Sequence, residues 1–359
     1  MISISGIQQI GIGVPDVYEA WKWYRKNFGF DVPVFDDPGT AALMLPYTGG
    51  KPQNRHAVLA INMGGGGGFE IWQYTSRTPQ PASFELQAGD LGIYIAKLKT
   101  ADVKKAWNTF REKGLVAHDE LLQEPAGNDC FYVKDPYENL FQITGATEFF
   151  SKTGHVTGGA YGAFIGVTDP DKSVQFYSKI LGYDKILYDK TGVFDDLKAL
   201  PGGSGSFRRV LITHSQPRRG PFCRMLGEST LELVQALDRT PRKIYENRFW
   251  GDLGFIHLCY DIQGMKELKQ ACEELGCPFT VDSNPDAYEN GKGTFDMGEA
   301  SGHFTYTEDP DGTLIEFVET HKLPILKKVG WYMDLTKRQP GKPLPDWMIK
   351  TMGWNRVKE

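Results

Sequence analysis

The chain has 359 residues and a net charge of −5, from 40 basic and 45 acidic side chains. Its length points to about two domains, and 40% apolar with 24% charged residues describes a soluble globular protein. The mild acidity without a basic run argues against a nucleic-acid surface. No apolar run reaches the roughly 20 residues needed to span a bilayer, the first residues do not read as a leader, and the five cysteines form no paired framework, which together predict a cytoplasmic protein.

Taken in chain order, one pattern recurs four times. The run Ile10-Gly11-Ile12-Gly13-Val14 reads as a strand and ends near Asp16, a natural helix N-cap. Ala20, Trp21, Trp23, Tyr24 and Phe28 follow at helical spacing, and Gly29 suits the helix stop. The glycines at 64–68 lack the Lys-Ser/Thr of a phosphate loop and lead into a strand, so they predict a flexible hairpin tip or pocket lip. That strand carries Glu70 between Phe69 and Ile71, with Trp72 and Tyr74 on the face of Glu70. A second copy is predicted from a strand at 93–98, a helix over 101–113 and a hairpin at 131–142 around Asp135-Pro136. A linker at 153–159 divides the chain.

The third copy mirrors the first: Phe164-Ile165-Gly166-Val167, then Asp169 at the N-cap, then Val174, Phe176, Tyr177, Ile180 and Leu181 at helical spacing, then Gly182. Arg208, Arg209, Arg218 and Arg219 are expected in loops, as a solvated face or a lure for an anion. Glu232 lies between two leucines. The fourth copy has a strand at 257–262, a helix over 265–275 and a hairpin at 304–316 centred on Asp309-Pro310-Asp311-Gly312. If that turn centres between Pro310 and Asp311, Thr305 lies opposite Glu316 and His303 shares its face. The modules span about 1–80, 84–148, 155–238 and 250–320. The remainder, 321–359, holds three tryptophans and reads as an ordered extension packed on the domains.

The Val14-Pro15-Asp16 and Val167-Thr168-Asp169 strand ends, with the hairpin that closes at Ile315-Glu316-Phe317, resemble the vicinal oxygen chelate superfamily of glyoxalase I, bleomycin resistance proteins and extradiol dioxygenases. The resemblance implies an α+β fold: four βαβββ modules forming two eight-stranded, cup-shaped mixed sheets with flanking helices. As sequence segments, 1–148 and 155–320 are each expected to be one such domain. In that family each module gives two metal ligands, one on its first strand and one on its last. The carry-over assigns Gln9 and Glu70 to module one, Ile93 and Gln142 to module two, Gly162 and Glu232 to module three, and His257 and Glu316 to module four. If modules one and four share a cup, the metal set is Gln9, Glu70, His257 and Glu316, and the other cup is nearly blank. If neighbours share a cup, the set is Glu232, His257 and Glu316.

A set of two carboxylates, an imidazole and an amide suits one divalent ion (Zn, Ni, Co, Mn, Fe or Mg) with positions left for two substrate oxygens. The resemblance then implies a glyoxalase-type lyase or isomerase working through an enediolate-like intermediate. Glu316 and Glu70 would be the catalytic carboxylates, and His303, Trp72 and Tyr74 would bind substrate. An extradiol Fe(II) dioxygenase and a metal-free resistance-type binder are the alternatives. The expected partner is a small molecule, with no nucleic acid or membrane, and the protein itself a monomer or homodimer.

Overall fold

A computed structural model of the chain describes residues 2–290, 295–296, 301–326 and 331–357. Module one comprises β1 (Ser3–Gly13), α1 (Val17–Phe28), β2 (Val32–Thr40), β3 (Asn54–Ile61) and β4 (Gly68–Tyr74). Module two comprises β5 (Gly92–Thr100), α2 (Val103–Glu112), β6 (Leu122–Gln123), β7 (Asp129–Lys134) and β8 (Leu140–Gly145). Module three comprises β9 (Ala160–Gly166), α3 (Pro170–Leu181), β10 (Lys185–Gly192), β11 (Phe207–Thr213), a short α4 (Cys223–Leu226) and β12 (Thr230–Ala236). Module four comprises β13 (Gly254–Gln263), α5 (Met265–Glu274), β14 (Val281–Asp282), α6 (Ala287–Asn290), β15 (Phe295–Asp296), β16 (Ser301–Glu308) and β17 (Leu314–Leu326). The extension adds β18 (Trp331–Asp334) and α7 (Asp346–Lys350).

Local chemistry sets the first helix of each half. Asp16 accepts hydrogen bonds from the Tyr18 and Glu19 amides, and Asp169 from those of Asp171 and Lys172. Gly29 and Gly182 end the two helices in the left-handed region, at φ 72° and 69°, where a side chain would be strained.

The sheets pair crosswise. One runs β14-β16-β17-β13-β1-β4-β3-β2, with β15 and β18 attached to β16 and β17; the other runs β10-β11-β12-β9-β5-β8-β7-β6. Modules one and four therefore form one cup and modules two and three the other, so neither cup coincides with segment 1–148 or 155–320. The seams are antiparallel first strands: β1 against β13, and β5 against β9. Behind the sheets, the helices and both convex faces share one apolar core, in which Phe28, Phe69, Phe141 and Phe255 pack with ring centroids 4.9–6.5 Å apart.

Two matched hydrogen bonds join modules that belong to different cups. The Tyr24 hydroxyl of α1 donates to Asp135 in the β7–β8 turn at 2.6 Å, and the Tyr177 hydroxyl of α3 donates to Asp309 in the β16–β17 turn at 2.9 Å. The glycines at 64–68 are buried along the same junction, which corrects the expectation of a flexible tip. Gly67 and Ala160 exchange backbone hydrogen bonds of 2.9 and 2.8 Å, and a Cβ on Gly66 would meet the Ala160 carbonyl oxygen at 2.7 Å. No side chain could let the chains approach this closely.

Leu335, Leu344 and Ile349 of the extension are buried with Met63 and Met225. Its Trp347 and Trp354 point outward instead. No helix among the described residues is long and apolar enough to cross a membrane.

Candidate metal centre

The first cup carries two rungs of side chains across its four central strands. In the first, Glu70 on β4 pairs with Gly11 on β1, which pairs with His257 on β13. In the second, Gln9 on β1 pairs with Cys259 on β13, which pairs with Glu316 on β17. A flat sheet would hold β4 and β17 about 14 Å apart, at ~4.8 Å per strand. Yet ligand atoms of Glu70, His257 and Glu316 all lie within 4.8 Å of one another. The sheet is curled around them, and these residues occupy its concave face.

The convergence is tight. His257 Nε2 lies 3.0 Å from Glu316 Oε2 and 3.3 Å from Glu70 Oε2. Gln9 Nε2 donates to Glu70 Oε2 at 3.2 Å and to Glu316 Oε2 at 3.4 Å. Gly11 leaves the space that the imidazole fills, since a Cβ there would meet His257 Cε1 at 2.5 Å. Burial disfavours a charged His257, but Glu316 and then Glu70 outweigh it and raise its pKa to about 9. A field that holds a proton this firmly would hold another cation. Gln9 Oε1 and His257 Nδ1 are buried without hydrogen-bond partners, which is costly unless something else engages them. The donor set therefore fits a divalent ion held by oxygen and nitrogen.

Aromatic rings close one side. Trp250 stacks near-parallel to His257 at 6.2 Å, Tyr306 meets it edge-on at 5.5 Å, and Trp72 packs on Trp250 at 4.7 Å. The Tyr74 hydroxyl donates to the Trp250 carbonyl. Trp72 and Tyr74 thus lie on the expected face but are buried in this wall.

His303 corrects an expectation. The register pairs Glu316 with Tyr306, and His303 with Glu319. The turn holds one residue more than assumed, and a one-residue slip puts a strand side chain on the opposite face. His303 Nε2 lies 2.6 Å from Asp282 Oδ1, behind the sheet. Tyr306, which the sequence reading missed, takes the place beside Glu316. Burial, then Glu316 and Glu70, push its pKa well above the ordinary tyrosine value. The signal lay in the hairpin, where Glu308 pairs with Leu314 and the intervening turn has five residues.

The second cup repeats the rungs with other chemistry. Glu232 pairs with Phe164, which pairs with Ile95; Gly162 pairs with Lys97, which pairs with Gln142. Ile95 therefore replaces Ile93 as the counterpart of His257, because β5 carries a register shift between residues 93 and 95. Glu232 is not with His257. It accepts from Tyr188 at 2.6 Å and from Arg209, and lies 3.8 Å from the Lys97 ammonium. Arg209, expected in a loop, is fully buried on β11, where it also binds Asp196 at 2.6 Å. Arg208, likewise on β11, pairs with Asp171 and Asp189 at the surface. The alternative set of Glu232, His257 and Glu316 is thus not brought together.

The family model of the Glyoxalase/Bleomycin resistance protein/Dioxygenase superfamily matches residues 6–143 and 152–317. The chain belongs to this superfamily. Its fold is similar to that of glyoxalase I from Zea mays, with a TM-score of 0.52 at 14% identity over 88% of this chain and 92% of that one. It is also similar to a candidate dioxygenase from Bacillus subtilis, with a TM-score of 0.54 at 13% identity over 99% and 97% of the two chains. No curated protein matches the chain. At these identities the likeness establishes the superfamily fold, whose members bind small molecules and are generally metal-dependent.

Proposed function

We propose that this superfamily member is a metal-dependent lyase or isomerase of glyoxalase type. The reading is carried by one observation: Glu70, His257 and Glu316, drawn from the first and last modules, converge within 4.8 Å. Together with Gln9 they would hold one divalent ion. When bound, that ion supplies a Lewis acid for two neighbouring oxygens of a small substrate. The remaining work belongs to side chains. Glu316 and Glu70 are mostly buried, with 10% and 13% of their side chains exposed; either can take a proton from a carbon beside a carbonyl and return it to the neighbouring carbon. We assign Glu316 as the primary base and Glu70 as its partner across the rungs. Trp250 and Tyr306 keep water from one side of the reacting atoms. The set has one histidine and two carboxylates, whereas extradiol Fe(II) chemistry uses two histidines and one carboxylate, which favours proton transfer.

Metal analysis of the protein after chelator treatment and reloading tests this reading. One ion per chain is expected. Glu316→Gln should leave the circular dichroism spectrum unchanged, weaken metal binding at least tenfold and abolish turnover. A reloaded protein that holds no metal would overturn it.

A further inference from the structure

A groove of about 330 Å³ lies beyond the aromatic wall of the metal centre. Five stretches of chain meet around it: the loop at 46–49, the start of β5 at 91–93, the linker at 243–250, the start of β13 at 255–256 and the β16–β17 turn at 311–314. None of Gln9, Glu70, His257 and Glu316 lines it. Trp250 is the partition, since it lines the groove and stacks on the His257 ring at 6.2 Å. Ile93, Phe255 and Ile256 give the groove a buried apolar lining, and Tyr47, Tyr245 and Phe249 add rings. The volume is at the small end for ligand sites and suits one or two fused rings.

The polar atoms of this lining are mostly donors left over. Trp250 Nε1, Arg248 Nε and Thr313 Oγ1 are buried without hydrogen-bond partners. Arg248 commits its other nitrogens to backbone carbonyls, those of Leu253 at 2.6 Å, Gln80 at 3.3 Å and Ile244. Lys243 forms no ion pair among the described residues. Its ammonium reaches across to the turn, where a Cβ on Gly312 would meet Nζ at 3.5 Å. Two acids stand nearby, and neither pairs with these cations. Asp311 gives both oxygens to Thr168, accepting from its amide at 2.9 Å and its hydroxyl at 2.6 Å. Glu308 accepts from Tyr47 at 2.8 Å. Charge is therefore nearly balanced here, but hydrogen bonding is not. An indole or guanidinium N–H and an ammonium can only donate, so what is missing is an acceptor.

We infer that this groove is a second binding site, separate from the metal centre, and that it takes a small aryl carboxylate. The carboxylate accepts from Lys243 and from the unmet N–H groups, and hydrogen bonds between charged partners are the stronger kind. The ring displaces water from Phe249, Phe255 and Ile256, where aromatic packing adds to the apolar burial. An uncharged aryl amide keeps the ring contacts but brings one acceptor in place of two and no charge for the ammonium.

The probes are 1-naphthoate and its neutral counterpart 1-naphthamide, titrated by calorimetry into the full chain, both chelator-treated and metal-loaded. Naphthoate should bind at one per chain, at least fivefold tighter than naphthamide, and equally well with and without metal. Lys243 is exposed, so Lys243→Glu should leave the circular dichroism spectrum unchanged. It should weaken naphthoate at least fivefold while naphthamide stays within twofold, and Lys243→Gln should weaken naphthoate to a lesser degree. Naphthamide binding as tightly as naphthoate overturns the inference, and so does naphthoate binding that neither variant alters. Naphthoate bound by the loaded protein alone puts the carboxylate on the ion and overturns it too, as does the absence of any binding.

Discussion

Asp261 illustrates what a single buried acid does to this fold. An aspartate ordinarily titrates at 3.8, and burial raises Asp261 to about 7, opposed in part by a hydrogen bond from Ser5. Between those values the folded state holds a proton that the unfolded chain has lost. Stability contributed by this residue therefore falls as pH rises through the window and levels off above about 7. Asp261→Asn carries no charge to bury and should lose that decline. Urea unfolding should find the two proteins similar near pH 4 and the variant more stable by on the order of 2–4 kcal/mol at pH 8; parallel stability curves would refute the assignment. At this scale the sequence was legible where repetition indexed it. Glu70, His257 and Glu316 could be named because the family resemblance assigns ligands to fixed places in the repeated module, and the geometry brings all three together. Gly11, Cys259 and Tyr306 could not, because their importance comes from facing a ligand across a strand pair. His303 was misplaced by one residue of turn length, which is all it takes to reverse a strand side chain.

Among the elements, the Asp-Pro turns do more than reverse the chain. Asp135 accepts from the Asn139 and Tyr137 amides of its own turn as well as from Tyr24, and Asp309 accepts from the Asp311 and Thr313 amides as well as from Tyr177. Each turn is thereby fastened to a helix of the preceding module. Tyr24→Phe and Tyr177→Phe should each cost about 1–3 kcal/mol, the range for a hydrogen bond to a charged group and for a buried acceptor left short. Denaturant midpoints would show this, and a loss in only one variant would mean that the two bonds are not equivalent. The turns themselves were readable from Asp, Pro and Gly chemistry. Their tyrosine partners were not, since Tyr24 and Tyr177 look like ordinary members of an apolar helix stripe. The glycines at 64–68 misled for the same reason: glycine signals freedom in a sequence, while here it permits contact with Gly159 and Ala160.

For the molecule as a whole, the decisive fact is that each cup takes one module from each half of the chain. Sequence alone left two pairings open, because an antiparallel partner for β1 could come from the first strand of more than one module; the structure pairs it with β13. The pairing found is the crosswise one, which gathers the candidate ligands into one full set and leaves the other cup nearly blank. Fragments 1–150 and 151–359, co-expressed, should therefore reassemble and bind metal, whereas neither should do so alone; strong metal binding by 1–150 by itself would contradict this architecture. The crossed pairing also orders events during synthesis. Strand β1 ends at Gly13 and its partner β13 begins at Gly254, so about 240 residues separate them, or on the order of 10–50 s of translation. Modules two and three can close their cup meanwhile, and β1 must wait with an open hydrogen-bonding edge, the kind of surface that captures foreign strands. The cup filled with its own ion pairs is then the earlier-built half, and the half with the candidate ligands is completed last.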